Sequence, residues 1–173
     1  RIALLHQNWA SRLSGRIRIE AFHAELRTAN IKHRPEWTMS VSSDAEVENM
    51  IRRIFVDAPP AERPNAIYAN NDGLAFCALT ALRRFGLRVP EDVAVVGMGD
   101  LPRGDDTGAG LSSVREPCEE IGRLAAETLL GTLAKTPSPG TVAPSGQISV
   151  PGVELRIRRS TIGIQEANKT PIS

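Results

Sequence analysis

Short aliphatic runs alternate with longer amphipathic runs along this chain, and this alternation limits its fold more than any other feature. Residues 1–5 (RIALL) and 93–98 (VAVVGM) predict buried strands. Residues 71–86 predict the clearest helix, because their apolar side chains recur at helical spacing. Repeated strand–helix units with short connections are typical of an α/β fold, here a doubly wound parallel sheet.

The predicted helices have recognisable ends. Asn71 and Asp72 form a candidate N-cap pair, and Ser43 or Asp44 suits the N-cap of the preceding helix. Gly86 suits a left-handed C-cap. These signals place the helices between strands, as the α/β pattern requires.

Composition excludes several classes of protein. The 173 residues hold 21 basic and 20 acidic side chains, so the chain has no basic surplus for binding nucleic acid itself. No apolar run approaches the roughly 18 residues that span a bilayer, so no membrane association is expected. Cys77 and Cys118 lie far apart, which favours reduced thiols and a cytoplasmic location. Because the chain lacks an initiator Met and a signal peptide, we expect a piece of a longer protein.

In an open α/β sheet, ligands bind beyond the carboxyl ends of the strands. His6 ends the first strand, and Asn71 and Asp72 follow the third. Asn71 and Asp72 could bond a polar ligand, although capping alone would explain both residues. His6 is a further possible polar contact. The first helix is predicted from residue 15, so that Arg18 lies in its first turn, where a cation opposes the helix dipole. That placement suggests a ligand contact, although a salt bridge would also explain it.

Residues 95–106 (VVGMGDLPRGDD) end a strand in a turn rich in glycine and aspartate. A dinucleotide-binding loop would need glycine where Pro102 stands. A metal site could use Asp100, Asp105 and Asp106, but their spacing matches no calcium loop, and acidic turn residues more often cap or face solvent. We therefore predict no metal and no cofactor. No catalytic triad has its motif context, which indicates that the chain is not an enzyme.

Residues 63–100 resemble the core signature of the LacI/GalR-type transcription regulators, in the Asn-Asp helix start, the Gly-Leu-Arg-Val-Pro-Glu-Asp-Val connector and the Val-Val-Gly strand. Residues 111–130 (LSSVREPCEEIGRLAAETLL) are similar to the family's Leu-Thr-Thr-Val strand, Gln-Pro turn and following helix. Residues 154–161 (ELRIRRST) resemble its closing strand. The resemblance covers residues 1–161.

This resemblance implies the C-terminal lobe of a type I periplasmic-binding-protein-like effector domain. It divides residues 1–163 into a lobe (1–111), a crossover helix that belongs to the absent first lobe (116–135) and closing strands (147–161), with a disordered tail at 164–173. In such regulators a small molecule, often a sugar or nucleobase, binds between the two lobes of the effector domain, and the protein is a homodimer. Operator DNA is bound by a helix-turn-helix domain that this chain lacks.

The family's ligand residues map unevenly onto this sequence. Arg18 matches the family's arginine, whose five donors suit ligand hydroxyls or a carboxylate. Asn71 matches the family's asparagine, with Asp72 expected to cap the helix. Ser11 or Ser14 represents the hydroxyl-bearing loop before the arginine.

Two features depart from the family pattern. Gly99 stands where the family often has a ligand-binding aspartate, and Asp100 either takes over that contact or braces the turn; bracing is expected. The family's aromatic after the second strand is absent, and Trp9 or Trp37 could replace it only if the loops bring one of them to the ligand.

The crossover helix would present Ile121, Leu124, Leu129 and Leu133 without an intrachain partner. We therefore expect self-association through this helix or by domain swapping. A solute-binding protein of a sugar transport system is the alternative with the same fold. A receiver-like domain is disfavoured, because the loop after the first strand lacks an acidic cluster.

Overall fold

The computed structural model describes residues 1–7, 13–102, 110–133, 150 and 152–162, and a six-stranded sheet forms their framework. The strands are β1 (Ile2–Gln7), β2 (Thr38–Val41), β3 (Ala66–Ala69), β4 (Ala94–Met98), β5 (Ser112–Arg115) and β6 (Glu154–Arg156). The helices are α1 (Leu13–Thr28), α2 (Asp44–Ile51), α3 (Asp72–Arg84) and α4 (Cys118–Leu133).

The strand order is β2-β1-β3-β4-β5-β6. The first five strands in this order pair in parallel, and β6 runs antiparallel to β5 at the edge. The predicted α/β class with a doubly wound parallel sheet is confirmed. The order reverses at β1, whose neighbours are β2 and β3, and the crevice beyond the carboxyl ends of β1 and β3 is where such sheets bind ligands.

One face of the sheet carries the main hydrophobic core. The core side chains of α2 and α3 pack against alternate residues of the strands, which is the period-2 arrangement of a sheet covered by helices. The strands contribute Ala3, Leu5, Met39, Val41, Ile67, Ala69 and Val95, and the helices contribute Val47, Ile51, Leu74, Ala75, Ala78, Leu79 and Leu82.

Helix α1 covers the other face more thinly. Gly15 and Leu26 are its buried residues. The Phe22 ring lies 5.6 Å from the Tyr68 ring of β3, and His23 Nε2 lies 2.9 Å from the Thr38 hydroxyl of β2. Aromatic and imidazole contacts therefore attach α1 to the sheet.

Several element boundaries differ from the sequence prediction. Helix α1 begins at Leu13, two residues before the predicted start. Helix α2 continues into a π-helical segment, Arg52–Asp57, instead of remaining α-helical. Ser43, one of the two N-cap candidates, caps α2 by accepting from the Glu46 N–H. The left-handed C-cap at Gly86 is confirmed by its φ of 72°.

The closing segment after β6 is tied to the sheet by hydroxyl groups. Ser160 is fully buried; its hydroxyl donates to the Val95 carbonyl at 2.6 Å and accepts from the Ser112 N–H at 2.8 Å. The Ser112 hydroxyl in turn accepts from the Arg158 N–H at 2.7 Å. Residues 147–149 of the predicted closing strands lie outside the described residues, as does the predicted tail from residue 164.

Candidate functional site

Helix α3 begins at the carboxyl end of β3, and Asn71 caps it. The Asn71 Oδ1 atom accepts from the Leu74 N–H at 2.9 Å, and its Nδ2 donates to Asn70 Oδ1 at 3.4 Å. The predicted capping role of Asn71 is therefore correct. Its amide side chain is only partly buried, so a ligand in the crevice can reach it.

The capping role predicted for Asp72 is wrong. Asp72 is the first residue of α3 and is 1% exposed, and its carboxylate packs beside Gly97 of β4. Oδ1 accepts from the Ser113 hydroxyl at 2.7 Å, and Oδ2 accepts from the Leu101 N–H at 2.7 Å. Its hydrogen bonds tie α3 to β5 and to the turn after β4.

Asp100 sits in that turn with a left-handed backbone, at φ 51°. Its carboxylate accepts from Arg158 Nη2 at 2.6 Å, and its N–H donates to the Ser113 hydroxyl at 3.0 Å. Aspartate is one of the residues that tolerate this conformation, and both bonds hold the turn in place. Asp105 and Asp106, which were weighed with Asp100 as metal ligands, lie outside the described residues.

Arg18 points to the segment between β5 and α4. Its Nη2 donates to Glu116 Oε1 at 2.8 Å, and both side chains are about a third exposed. Because α1 begins at Leu13, Arg18 lies in the second turn of the helix and not in the first. The helix dipole therefore does not oppose Arg18 as predicted, and its ion pair with Glu116 is one interaction that holds the side chain.

The remaining predicted residues are less central. His6 is 5% exposed, and its Nδ1 lies 3.2 Å from the Gln7 carbonyl oxygen. Ser14 is exposed in the first turn of α1. Trp37 is 2% exposed, so it cannot replace the missing ligand-stacking aromatic in this structure. Trp9 and Ser11 lie outside the described residues.

Sequence reasoning missed three polar groups near the crevice. Tyr68 donates to the Met98 sulfur at 3.7 Å; burial raises the pKa of its hydroxyl, Arg18 opposes that rise and Glu116 adds to it. Asn70 is 2% exposed, and its Nδ2 has no hydrogen-bond partner among the described residues. Glu116 lies in the segment that resembles the family's Gln-Pro turn. The sequence signal that could have identified it is the carboxylate in place of the family's glutamine.

The described part of the chain contains no group of three or more side chains that could hold a metal ion. None of its helices is long and apolar enough to cross a membrane.

Comparison with known proteins places this site in context. The model of the periplasmic binding protein-like domain family matches residues 1–161. The HTH-type transcriptional repressor PurR of Yersinia enterocolitica is 31% identical over 133 residues, which are 76% of this chain and 38% of that protein. The chain spans about a third of the length of the curated relatives it matches.

Solved structures share the fold. A regulatory protein of the LacI family from Chloroflexus aggregans superposes with a TM-score of 0.79 at 29% identity, over 92% of this chain and 54% of that one. A LacI family transcriptional regulator from Lactobacillus casei, solved with bound sucrose, gives a TM-score of 0.76 at 23% identity, over 92% and 56% of the two chains. These relatives are transcriptional regulators, in agreement with the prediction that the chain is not an enzyme.

Proposed function

Because the chain belongs to the periplasmic binding protein-like domains of the LacI family, we propose that it is the ligand-sensing part of a bacterial transcriptional regulator. The effector is a small, polar, sugar-like molecule. Operator DNA is bound by a helix-turn-helix domain outside this chain, and the regulator works in the cytoplasm as a homodimer. The chain supplies the C-terminal lobe (1–111), the crossover helix (116–135) and the closing strands (147–161).

One observation supports this proposal most directly. Arg18 on α1 and Asn71 at the start of α3 come from different elements, yet both have partly exposed polar side chains; Arg18 pairs with Glu116 after β5, and Asn71 follows the carboxyl end of β3. Asp72 and Asp100 have their carboxylates occupied by internal partners. We infer that Arg18 and Asn71 contact the ligand, while Asp72 and Asp100 hold the edge in shape. His6 and Ser14 flank them as secondary contacts.

The proposed mechanism is closure of two lobes on the ligand. A ligand that binds the closed form more tightly than the open form shifts the balance between them. The dimer then changes the spacing of its DNA-binding domains. Coupling free energies of this kind are roughly 1–3 kcal/mol, which suffices for a switch and involves no chemical step.

Thermal shift of the complete regulator with a panel of neutral sugars tests this function. A ligand found there should lose at least tenfold in affinity with Arg18→Ala, because hydrogen bonds from a charged group contribute about 1.5–3 kcal/mol. Asn71→Asp keeps a capping oxygen on Leu74 but removes the amide donor, and it should also weaken binding.

The matched control is Arg27→Ala, which removes the same type of side chain from the exposed last turn of α1, at the end of the helix away from Arg18. It should leave ligand affinity unchanged. If Arg18→Ala and Asn71→Asp leave the affinity unchanged, the assignment of the site is wrong.

A further inference from the structure

The Arg18–Glu116 ion pair occupies the edge where the ligand is expected. The two groups are 2.8 Å apart, and side-chain exposures of 29% and 34% leave both open to solvent. Glu116 also lines a groove of about 570 Å³, together with Gly99, Asp100 and Arg115. The carboxylate is therefore placed to meet whatever approaches Arg18.

Glu116 also departs from the family pattern, because the corresponding segment of the family has glutamine before its proline. A glutamine amide could accept a hydrogen bond from Arg18 but would carry no negative charge. In this chain the Glu116 carboxylate forms an ion pair with Arg18. Asp72, near this edge, is buried and bonded to Ser113 and Leu101. Four other carboxylates line the groove of Glu116, and three of them, Asp100, Glu120 and Glu154, form ion pairs with other arginines; the fourth is Glu119.

From this arrangement we propose that Glu116 is a specificity-determining residue, which selects a neutral polyhydroxyl ligand over a carboxylate ligand of the same shape. The inference rests on the proposed function and deepens it. A neutral ligand can accept from Arg18 and donate a hydroxyl to Glu116, so the ion pair stays intact. A ligand carboxylate would have to displace Glu116 and then lie beside its negative charge.

The expected discrimination follows from Coulomb's law. Two like charges about 5 Å apart in a partly solvated site repel enough to weaken binding about tenfold. Breaking an exposed ion pair adds at most about a fivefold cost. Glu116→Gln should therefore strengthen carboxylate binding at least tenfold relative to neutral binding.

The probes are D-glucose and D-glucuronate, which differ in one oxidised carbon and one negative charge. Each is titrated into the chain and into Glu116→Gln, with binding followed by NMR chemical shifts at millimolar probe concentrations. The expected result is that Glu116→Gln raises the ratio of glucuronate affinity to glucose affinity at least tenfold. The matched control is Glu127→Gln, which removes the same charge and an exposed ion pair with Arg123 further along α4, outside this groove.

Three results would overturn the proposal: an unchanged ratio, the same change in Glu127→Gln, or no glucuronate binding to Glu116→Gln. Amide spectra that match the parent show that the variant is folded. The proposed function fails separately, if no neutral sugar in the panel stabilises the complete regulator while Glu116→Gln still gains glucuronate binding.

Discussion

At the scale of single residues, the buried Asp72 side chain leaves no room for a side chain at Gly97. Its carboxylate is buried against β4, and a Cβ built on Gly97 would overlap Asp72 Oδ1 and lie 3.0 Å from the Leu111 side chain. Gly97 is therefore fixed by close approach and not by an unusual backbone angle. The hydrogen bonds of the buried Asp72 carboxylate and the absence of a side chain at Gly97 depend on each other.

We expect Gly97→Ala to lower the free energy of unfolding by about 2–3 kcal/mol, because the added methyl group must displace Asp72 from Ser113 and Leu101. Urea unfolding measures this change. Gly122→Ala is the matched control: its Cβ meets nothing within 4 Å on α4, so it should raise stability by about 0.5–1 kcal/mol. A Gly97→Ala protein as stable as the parent would contradict the packing described here.

The contrast between Asn71 and Asp72 shows how far local sequence can predict a site. Capping depends on backbone N–H groups three residues away, so the role of Asn71 could be inferred from the chain around it. The partners of Asp72 lie 29 and 41 residues away, and those of Arg18 and Asp100 lie 98 and 58 residues away. Which ion pairs form at the sheet edge depends on tertiary packing, which no local pattern encodes.

At the scale of elements, the attachment of α1 depends on imidazoles. His23 Nε2 and His33 Nε2 lie 2.9 Å and 3.0 Å from the same Thr38 hydroxyl, and the two rings are 4.6 Å apart. The hydroxyl can donate only one hydrogen, and His33 Nδ1 is buried without a hydrogen-bond partner among the described residues. Two charged imidazoles would repel each other in this position, so the arrangement favours a neutral His23 ring.

We expect the chain to lose stability as the pH falls below about 6.5, the ordinary pKa of histidine. Burial lowers the pKa of His23, and His33, Arg27 and His6 lower it further. The unfolded chain therefore binds a proton before the folded chain does. The contribution of His23 to the free energy of unfolding is fully present above its pKa in the unfolded chain, and it is lost as the pH falls toward its pKa in the folded chain.

Urea midpoints at about pH 7.5 and 5.5 measure this loss, and histidine NMR titrations identify the group. His23→Gln keeps a polar contact with Thr38 but cannot take up the proton, so its midpoint should vary less with pH. Equal pH dependence in His23→Gln and the parent would show that another group is responsible.

Element order was easier to predict than element ends. Hydrophobic periodicity located all four helices and β1 to β5, because a helix layer on a sheet imposes regular apolar spacing. It did not give the direction of β6, since that depends on how the chain returns after α4. It also missed the π-helical segment after α2. A π-helical turn differs from an α-helical turn in its hydrogen bonds and not in the kind of apolar residues it contains, so the sequence pattern does not reveal it.

At the scale of the whole molecule, α4 carries the largest share of the exposed large apolar side chains in the described part of the chain. Ile121, Leu129, Leu130 and Leu133 are 48–74% exposed on this one helix. Val153, Leu155 and Ile157, on and beside β6, are also more than half exposed. Surface of this kind usually meets a partner. In the proposed architecture that partner is the first lobe, which lies outside this chain, and a second copy of the chain can take its place.

We therefore expect the 173-residue chain to self-associate through α4, which is one of the two routes that the sequence predicts, the other being domain swapping. Leu129→Gln combined with Leu133→Gln should shift the chain toward monomer, because it removes apolar area while glutamine keeps a good helix propensity. Sedimentation velocity over a range of concentrations gives the association constant, and circular dichroism reports whether α4 stays helical.

Leu13→Gln is the control, since Leu13 is 66% exposed at the start of α1, on a different element. A parent chain that stays monomeric at high concentration with full helicity would contradict the prediction. Association that is lost in Leu13→Gln but kept in the α4 variant would instead place the contact on α1.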